Sequence, residues 1–166
     1  MRLVRFLRHL AVPHWLARRS LSAADVLKIQ KAIRESESHH LGELAFAVEG
    51  GLPLHHLFAP KPARTRAEEL FASLRVWDTE HNSGVLVYVQ LVDHRIEIVA
   101  DRGIAARVAQ VEWDAICRAM EAAFREGRFA EGALQAIGRC TALLAAHFPA
   151  DGRRNPNELP DRPVVL

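Results

Sequence analysis

Cysteine is scarce in this chain: Cys117 and Cys140 stand alone, with no paired-Cys motif around either. A disulfide framework and a Cys-based zinc site are therefore not signalled, and buried free thiols in a reducing compartment are expected. Lysine is nearly absent as well, since Lys28, Lys31 and Lys61 are the only ones, and the formal net charge is just +2. Such a balance carries no electrostatic footprint of nucleic acid. Long apolar runs are missing. Even Val85–Val92 falls far short of the roughly 18–20 apolar residues that span a bilayer. Carboxylates are absent from residues 1–19, which hold Arg2, Arg5, Arg8, Arg18 and Arg19. Arg5, Arg8 and His9 interrupt the apolar residues there, so no secretory signal is read and a cytoplasmic location is expected. There is no G-x-S-x-G elbow and no phosphate-binding P-loop, which leaves nucleophilic catalysis without a motif.

What is present is patterning. A chain of 166 residues, 49% of them hydrophobic, can build one core. Leu3, Phe6, Leu7 and Leu10 recur at helical spacing with Arg2, Arg5 and Arg8 off the stripe, which predicts a basic amphipathic helix. Docking on its own domain is the expectation for that helix; contact of residues 1–11 with an anionic membrane surface is the less favoured alternative. Ser22 with Asp25 reads as a capping box for a helix to about Ser38. Glu43–Glu49 alternates as a strand. Residues 50–63 read as a loop or broken short helix, and Thr65 with Glu68 as a second capping box for a helix to about Val76. Val85–Val92 is apolar on both faces and reads as a central strand, paired through a turn near Asp93 with His94–Ala100. Helices over about Glu112–Glu126 and Phe129–His147 complete the pattern. Pro149, Pro156, Pro160 and Pro163 mark an extended or disordered tail.

The fold class expected is α/β: a mixed β-sheet sandwiched by helices (α/β/α), with an N-terminal amphipathic helix. The divisions are 1–20, a basic helix and linker; 21–148, the α/β domain; and 149–166, the Pro-rich tail. A right-handed crossover makes the first two strands parallel, and the hairpin makes the next pair antiparallel. The start of the first strand, the loop Asp78–Gly84 and the exit Asp101–Gly103 then share one end of the sheet. That end gathers Glu43, Asp78, Glu80, Asn82 and Asp101, oxygen ligands of the kind Ca²⁺ or Mg²⁺ takes. Clustered carboxylates need a cation, a proton or an arginine to coexist. Arg102 beside them is a candidate anion contact. His39–His40 and His55–His56 are read as surface histidines rather than metal ligands, because adjacent side chains diverge.

With these segments in place, the stretch from about Leu21 to Phe148 resembles the TPM domain family. The resemblance is carried by HLGELAFAVEGG, by VWDTEHNSGVLVYVQLVDHRIEIVADRGIAARV and by FREGRFAEGALQAIG. The motif positions are Asn82, Gly84–Val85, Asp93, Arg95–Val99, Gly103, Phe124, Gly127, Phe129 and Gly132, with Ser83 inserted between Asn and Gly. The resemblance implies an α/β/α sandwich. It also implies one of two activities, since plant relatives in the thylakoid lumen are described as acid phosphatases and some bacterial relatives bind divalent cations without assigned catalysis. Two functions follow as expectations: a divalent-cation-binding or interaction module whose protein partner is undefined, and a weak metal-assisted phosphatase acting on phosphomonoesters.

Overall fold

The computed structural model describes residues 22–53, 56, 62–152 and 155–166. The amphipathic segment read over residues 2–10 lies outside them. Helix α1 (Ala23–Glu37) starts where the sequence places it, with Ser22 and Asp25 closing a reciprocal capping box. Strand β1 (Glu43–Glu49) follows. Helix α2 spans Ala63–Ser73, then come β2 (Gly84–Gln90), β3 (Arg95–Ala100), a short α3 (Arg102–Ala105), α4 (Gln110–Arg125), α5 (Phe129–His147) and β4 (Val164–Val165).

Helix α2 departs from expectation at both ends. Its N-cap is Pro62, which makes no side-chain cap. Glu68, which the expected capping box required, is instead held by Arg64 Nε at 3.0 Å, one helical turn away. The C-terminus stops early because Arg75 takes a left-handed conformation at φ 57. Val76 N–H then reaches Phe71 C=O and Arg75 N–H reaches Ala72 C=O, the crossed pair of bonds that closes a helix end. The same closure ends α4, with Gly127 at φ 75 and Arg128 N–H bonded to Ala123 C=O.

The sheet order is β3-β2-β1-β4. β1 runs parallel to β2 with Glu43 opposite Gly84, and β2 pairs antiparallel with β3, Val85 opposite Ala100. One face carries Leu44, Phe46, Val48, Val85, Val87, Val89, Ile96 and Ile98 against α1, α4 and α5. The other carries Ala47, Leu86, Tyr88 and Val99 against Ala67 and Leu70 of α2 and Leu159 of the tail. The chain is thus a mixed sheet between helical layers, as expected.

The tail is extended, and it is part of the fold. β4 adds a parallel strand to β1, Ala47 opposite Val164 and Val48 opposite Val165. Leu159 and Asp161 are buried. Proline-rich composition removes hydrogen-bond donors but leaves an extended segment free to line a sheet edge.

Candidate functional site

The parallel crossover and the hairpin bring the loop Asp78–Ser83 and the exit of β3 to one end of the sheet, as the strand order predicted. Two glycines allow the approach. A Cβ on Gly84 would lie 1.9 Å from Val76 O, and one on Gly103 would lie 2.5 Å from both His81 O and Asn82 O. Backbone bonds then lock the junction: Asp101 N–H to Gly84 O at 2.8 Å and Gly103 N–H to Asn82 O at 2.9 Å. Asn82 sits at φ 51, a conformation asparagine tolerates better than most side chains. Its Oδ1 accepts from Arg102 Nε at 2.9 Å.

Asp101 is the N-cap of α3, its Oδ1 accepting Arg102 N–H at 2.7 Å. Its Oδ2 is buried and has no hydrogen-bond partner, and Ser83 Oγ is in the same condition. Among the described residues, the guanidinium of Arg102 is paired with no carboxylate; its bond is to the Asn82 amide oxygen. Beside this junction the His81 ring stacks on Phe148, and the Arg107 guanidinium lies over the Phe148 ring, 4.3 Å from its centroid.

The remaining acidic residues do not converge on Asp101. Asp78 is exposed and held by Arg75 Nη2 at 2.6 Å. Glu80 is exposed, and its backbone N–H donates to both carboxylate oxygens of Glu158 at 3.2 Å. Glu43 is fully buried and turned to the tail, its Oε2 accepting Leu159 N–H at 3.1 Å. Of the residues singled out in the sequence, Asn82, Asp101 and Arg102 form one cluster; Asp78, Glu80 and Glu43 each stand in a different setting.

Glu43 belongs to a group that the sequence did not reveal. Glu37, at the end of α1, and Asp161, in the tail, lie beside it, 5% and 6% exposed. Burial, then the charges of Glu43 and Asp161, push the Glu37 carboxyl up to about 8. Burial also raises Glu43, to about 6. The only cation bonded to the group among the described residues is Arg34, whose Nε meets Asp161 Oδ2 at 2.9 Å. No periodicity could have announced this set, because its members come from a helix end, a strand start and a proline-rich segment.

The histidines require a correction. His39 is exposed, but His40 is completely buried and His56 is 3% exposed. His40 Nδ1 lies 2.9 Å from Gly42 O and its Nε2 lies 2.8 Å from Ser36 Oγ. The carbonyl can only accept, so Nδ1 carries the proton and Ser36 donates to Nε2. Burial lowers the His40 pKa to about 4, and the ring is neutral. His39 and His40 do diverge, and the inward one is satisfied by the Gly42 carbonyl and the Ser36 hydroxyl. Cys117 and Cys140 are free, and burial pushes both thiols up to about 12.

With this geometry in view, the comparisons are decisive for the family. The model of the TPM domain matches residues 18–143. The chain belongs to the TPM domain family. The NMR structure of BA42 protein from the psychrophilic bacterium Bizionia argentinensis is similar at a TM-score of 0.74 and 28% identity, covering 87% of this chain and 94% of that one. The solution NMR structure of the N-terminal domain of a P. gingivalis protein shares the fold at a TM-score of 0.61 and 19% identity, covering 84% of this chain and 92% of that one. No curated protein matches. No helix among the described residues is long and apolar enough to cross a membrane.

Proposed function

We propose that this TPM domain is a weak Ca²⁺- or Mg²⁺-binding interaction module that uses the Asp101 junction. The observation that carries the reading is the Asp101 Oδ2 atom, buried and without a partner where β2 begins and β3 ends. A buried carboxylate oxygen left unsatisfied is costly unless something compensates it. Ser83 Oγ and the amide of Asn82 are oxygens of the same neighbourhood. A cage of carboxylates does not fit, since among the described residues no three His, Cys, Asp or Glu side chains are arranged to hold a metal. A site here would rely on Asp101, Ser83, Asn82 and water, a composition suited to affinities of roughly 10⁻⁴ to 10⁻³ M. The free thiols support a reducing compartment, and we take the protein to be cytoplasmic.

A second reading, a metal-assisted phosphomonoesterase, is favoured by one observation: Arg102 is oriented by Asn82 rather than neutralised by a carboxylate, which leaves its guanidinium for an anion. The test of both is thermal unfolding with added CaCl₂ or MgCl₂, together with an aryl phosphate assay. The expected result is a rise in Tm with cation, by mass action on the folded state, and no turnover. Asp101→Asn should abolish the rise while keeping the unliganded Tm, because asparagine caps a helix as well as aspartate does. A wild-type Tm indifferent to several millimolar of either cation removes the metal reading, and cation-dependent hydrolysis lost in Asp101→Asn installs the phosphatase.

A further inference from the structure

We propose that residues 158–166 form a proton-gated strap, held across the start of β1 by a proton shared between Glu37 and Asp161 and released from the β1 edge when that proton is lost.

The geometry starts from three buried carboxyls on three elements: Glu37 on α1, Glu43 on β1 and Asp161 on the tail. Each keeps one oxygen without a partner: Glu37 Oε1, Glu43 Oε1 and Asp161 Oδ1. The Leu44 N–H and the Asp161 carboxyl both lie near enough to Glu37 to act on its proton affinity, the first lowering it and the second raising it. The other Asp161 oxygen is taken by Arg34. Two carboxyl groups bond to each other only when one of them carries a proton, so the pair that looks orphaned becomes satisfied by a single shared hydrogen.

The charges around Glu37 leave no other compensation. Glu43 faces it from β1 and Asp161 from the tail, Glu158 adds negative charge at Glu43, and Arg34 reaches the group through Asp161. His40, buried close by, is neutral. When Glu37 ionises, three buried carboxylates confront one guanidinium. The raised carboxyl makes the folded state bind the extra proton, so the docking contribution is complete below the ordinary value of 4.5 and disappears as pH rises through about 8.

What would move is defined by the remaining bonds. Besides Arg34 to Asp161, the strap is held by Glu80 N–H to Glu158, by Leu159 N–H to Glu43, by Leu166 N–H to Val48 O at 2.8 Å, by Gly50 N–H to Leu166 O at 3.2 Å and by β4. Asn155 Nδ2 donates to His40 O and Gly42 O, bonds with no titrating partner, and serves as the fixed end. Release would uncover the β1 edge at Ala47 and Val48. It would also remove Pro163 and Val165 from the groove they share with Val26 and Leu27 of α1. An uncovered edge strand is a template for pairing with another chain. This inference is independent of the cation site.

The experiment is NMR on the full-length protein, following the Glu37 side-chain carboxyl and the amides of Leu159, Val165 and Leu166 from acid to alkaline pH. The expected result is a Glu37 midpoint near pH 8, with the tail amides moving toward unstructured shifts at the same midpoint. Glu37→Gln, whose amide can donate to Asp161 at any pH, should keep the tail docked throughout. The proposal falls if Glu37 titrates near its ordinary value, if the tail amides stay docked while Glu37 ionises, or if Glu37→Gln releases the tail as wild type does. Should Glu37→Gln fail to fold, the wild-type titration decides alone.

Discussion

Glu43 and Glu49 close the two ends of β1, and both are buried on its α2-facing side. Their surroundings are opposite. Glu49 receives Arg66 through Nη2 at 2.7 Å and Nε at 3.1–3.2 Å, and Tyr88 Oη donates to it at 2.6 Å. Arg66 also reaches Glu69 at 3.5 Å. Glu43 has one bonded backbone N–H, that of Leu159, and three further carboxyls, Glu37, Glu158 and Asp161, for neighbours. A buried charge on the same strand is thus built into a bidentate pair at one end and left short of counter-charge at the other. The carboxyl end of the strand is fixed by ionic bonds, whereas the amino end responds to protons.

The largest expected effect tests the satisfied end. Arg66→Ala leaves Glu49 buried with only Tyr88 for a partner, and removing one member of a buried pair costs about 3–5 kcal/mol. Urea unfolding at neutral pH measures it. A loss below about 1 kcal/mol would mean that water replaces the guanidinium, and the contrast would collapse. Tyr88→Phe should cost less, about 1.5–3 kcal/mol, the worth of one hydrogen bond to a charged group, because Arg66 stays in place.

The unsatisfied end should respond with the opposite sign. Glu43→Gln removes a buried ionisation while its carbonyl can still accept Leu159 N–H. Since burial raises Glu43 from 4.5 to about 6, wild type loses stability as pH rises across that window. The variant should therefore gain about 1–2 kcal/mol over wild type at pH 8 and nothing near pH 4. Denaturation of both proteins across this range is the measurement. A destabilised variant at pH 8 would show that the charge at Glu43 is compensated after all.

Much of this architecture was legible because it rests on local chemistry. Ser22 and Asp25 announced α1, the alternation of Leu44, Phe46 and Val48 announced β1, and Gly127 announced the end of α4. The crossover rule then placed Asp78–Gly84 and Asp101 at one end of the sheet without any coordinates. Three things were not legible. Arg75 ends α2 in a left-handed conformation that glycine usually fills, so no residue type flagged it. The tail was judged by its prolines, although Leu159, Asp161 and Val164 find partners on α1 and β1 that composition does not encode. Sharing an end of a sheet also does not fix where side chains point: Glu43 follows the strand alternation to the α2 face, and Asp78 is captured by Arg75 three residues earlier.

That capture supplies the smallest expected effect and a sharp one. The Arg75–Asp78 pair is exposed on both sides, 72% and 46% by side chain. Exposed ion pairs contribute roughly 0–1 kcal/mol, so Asp78→Asn should shift stability by about 0.5 kcal/mol or less. Its value lies in the cation titration. If the Asp101 junction is the binding edge, Asp78→Asn should retain nearly all of the Tm rise that Asp101→Asn abolishes, because Asp78 is already paired and turned to solvent. Were the two variants to lose the rise equally, Asp78 would have to leave Arg75 and fold inward on binding. The loop Asp78–Ser83 would then be the moving part of the site, pivoting on the Gly103 contact that fixes its far end.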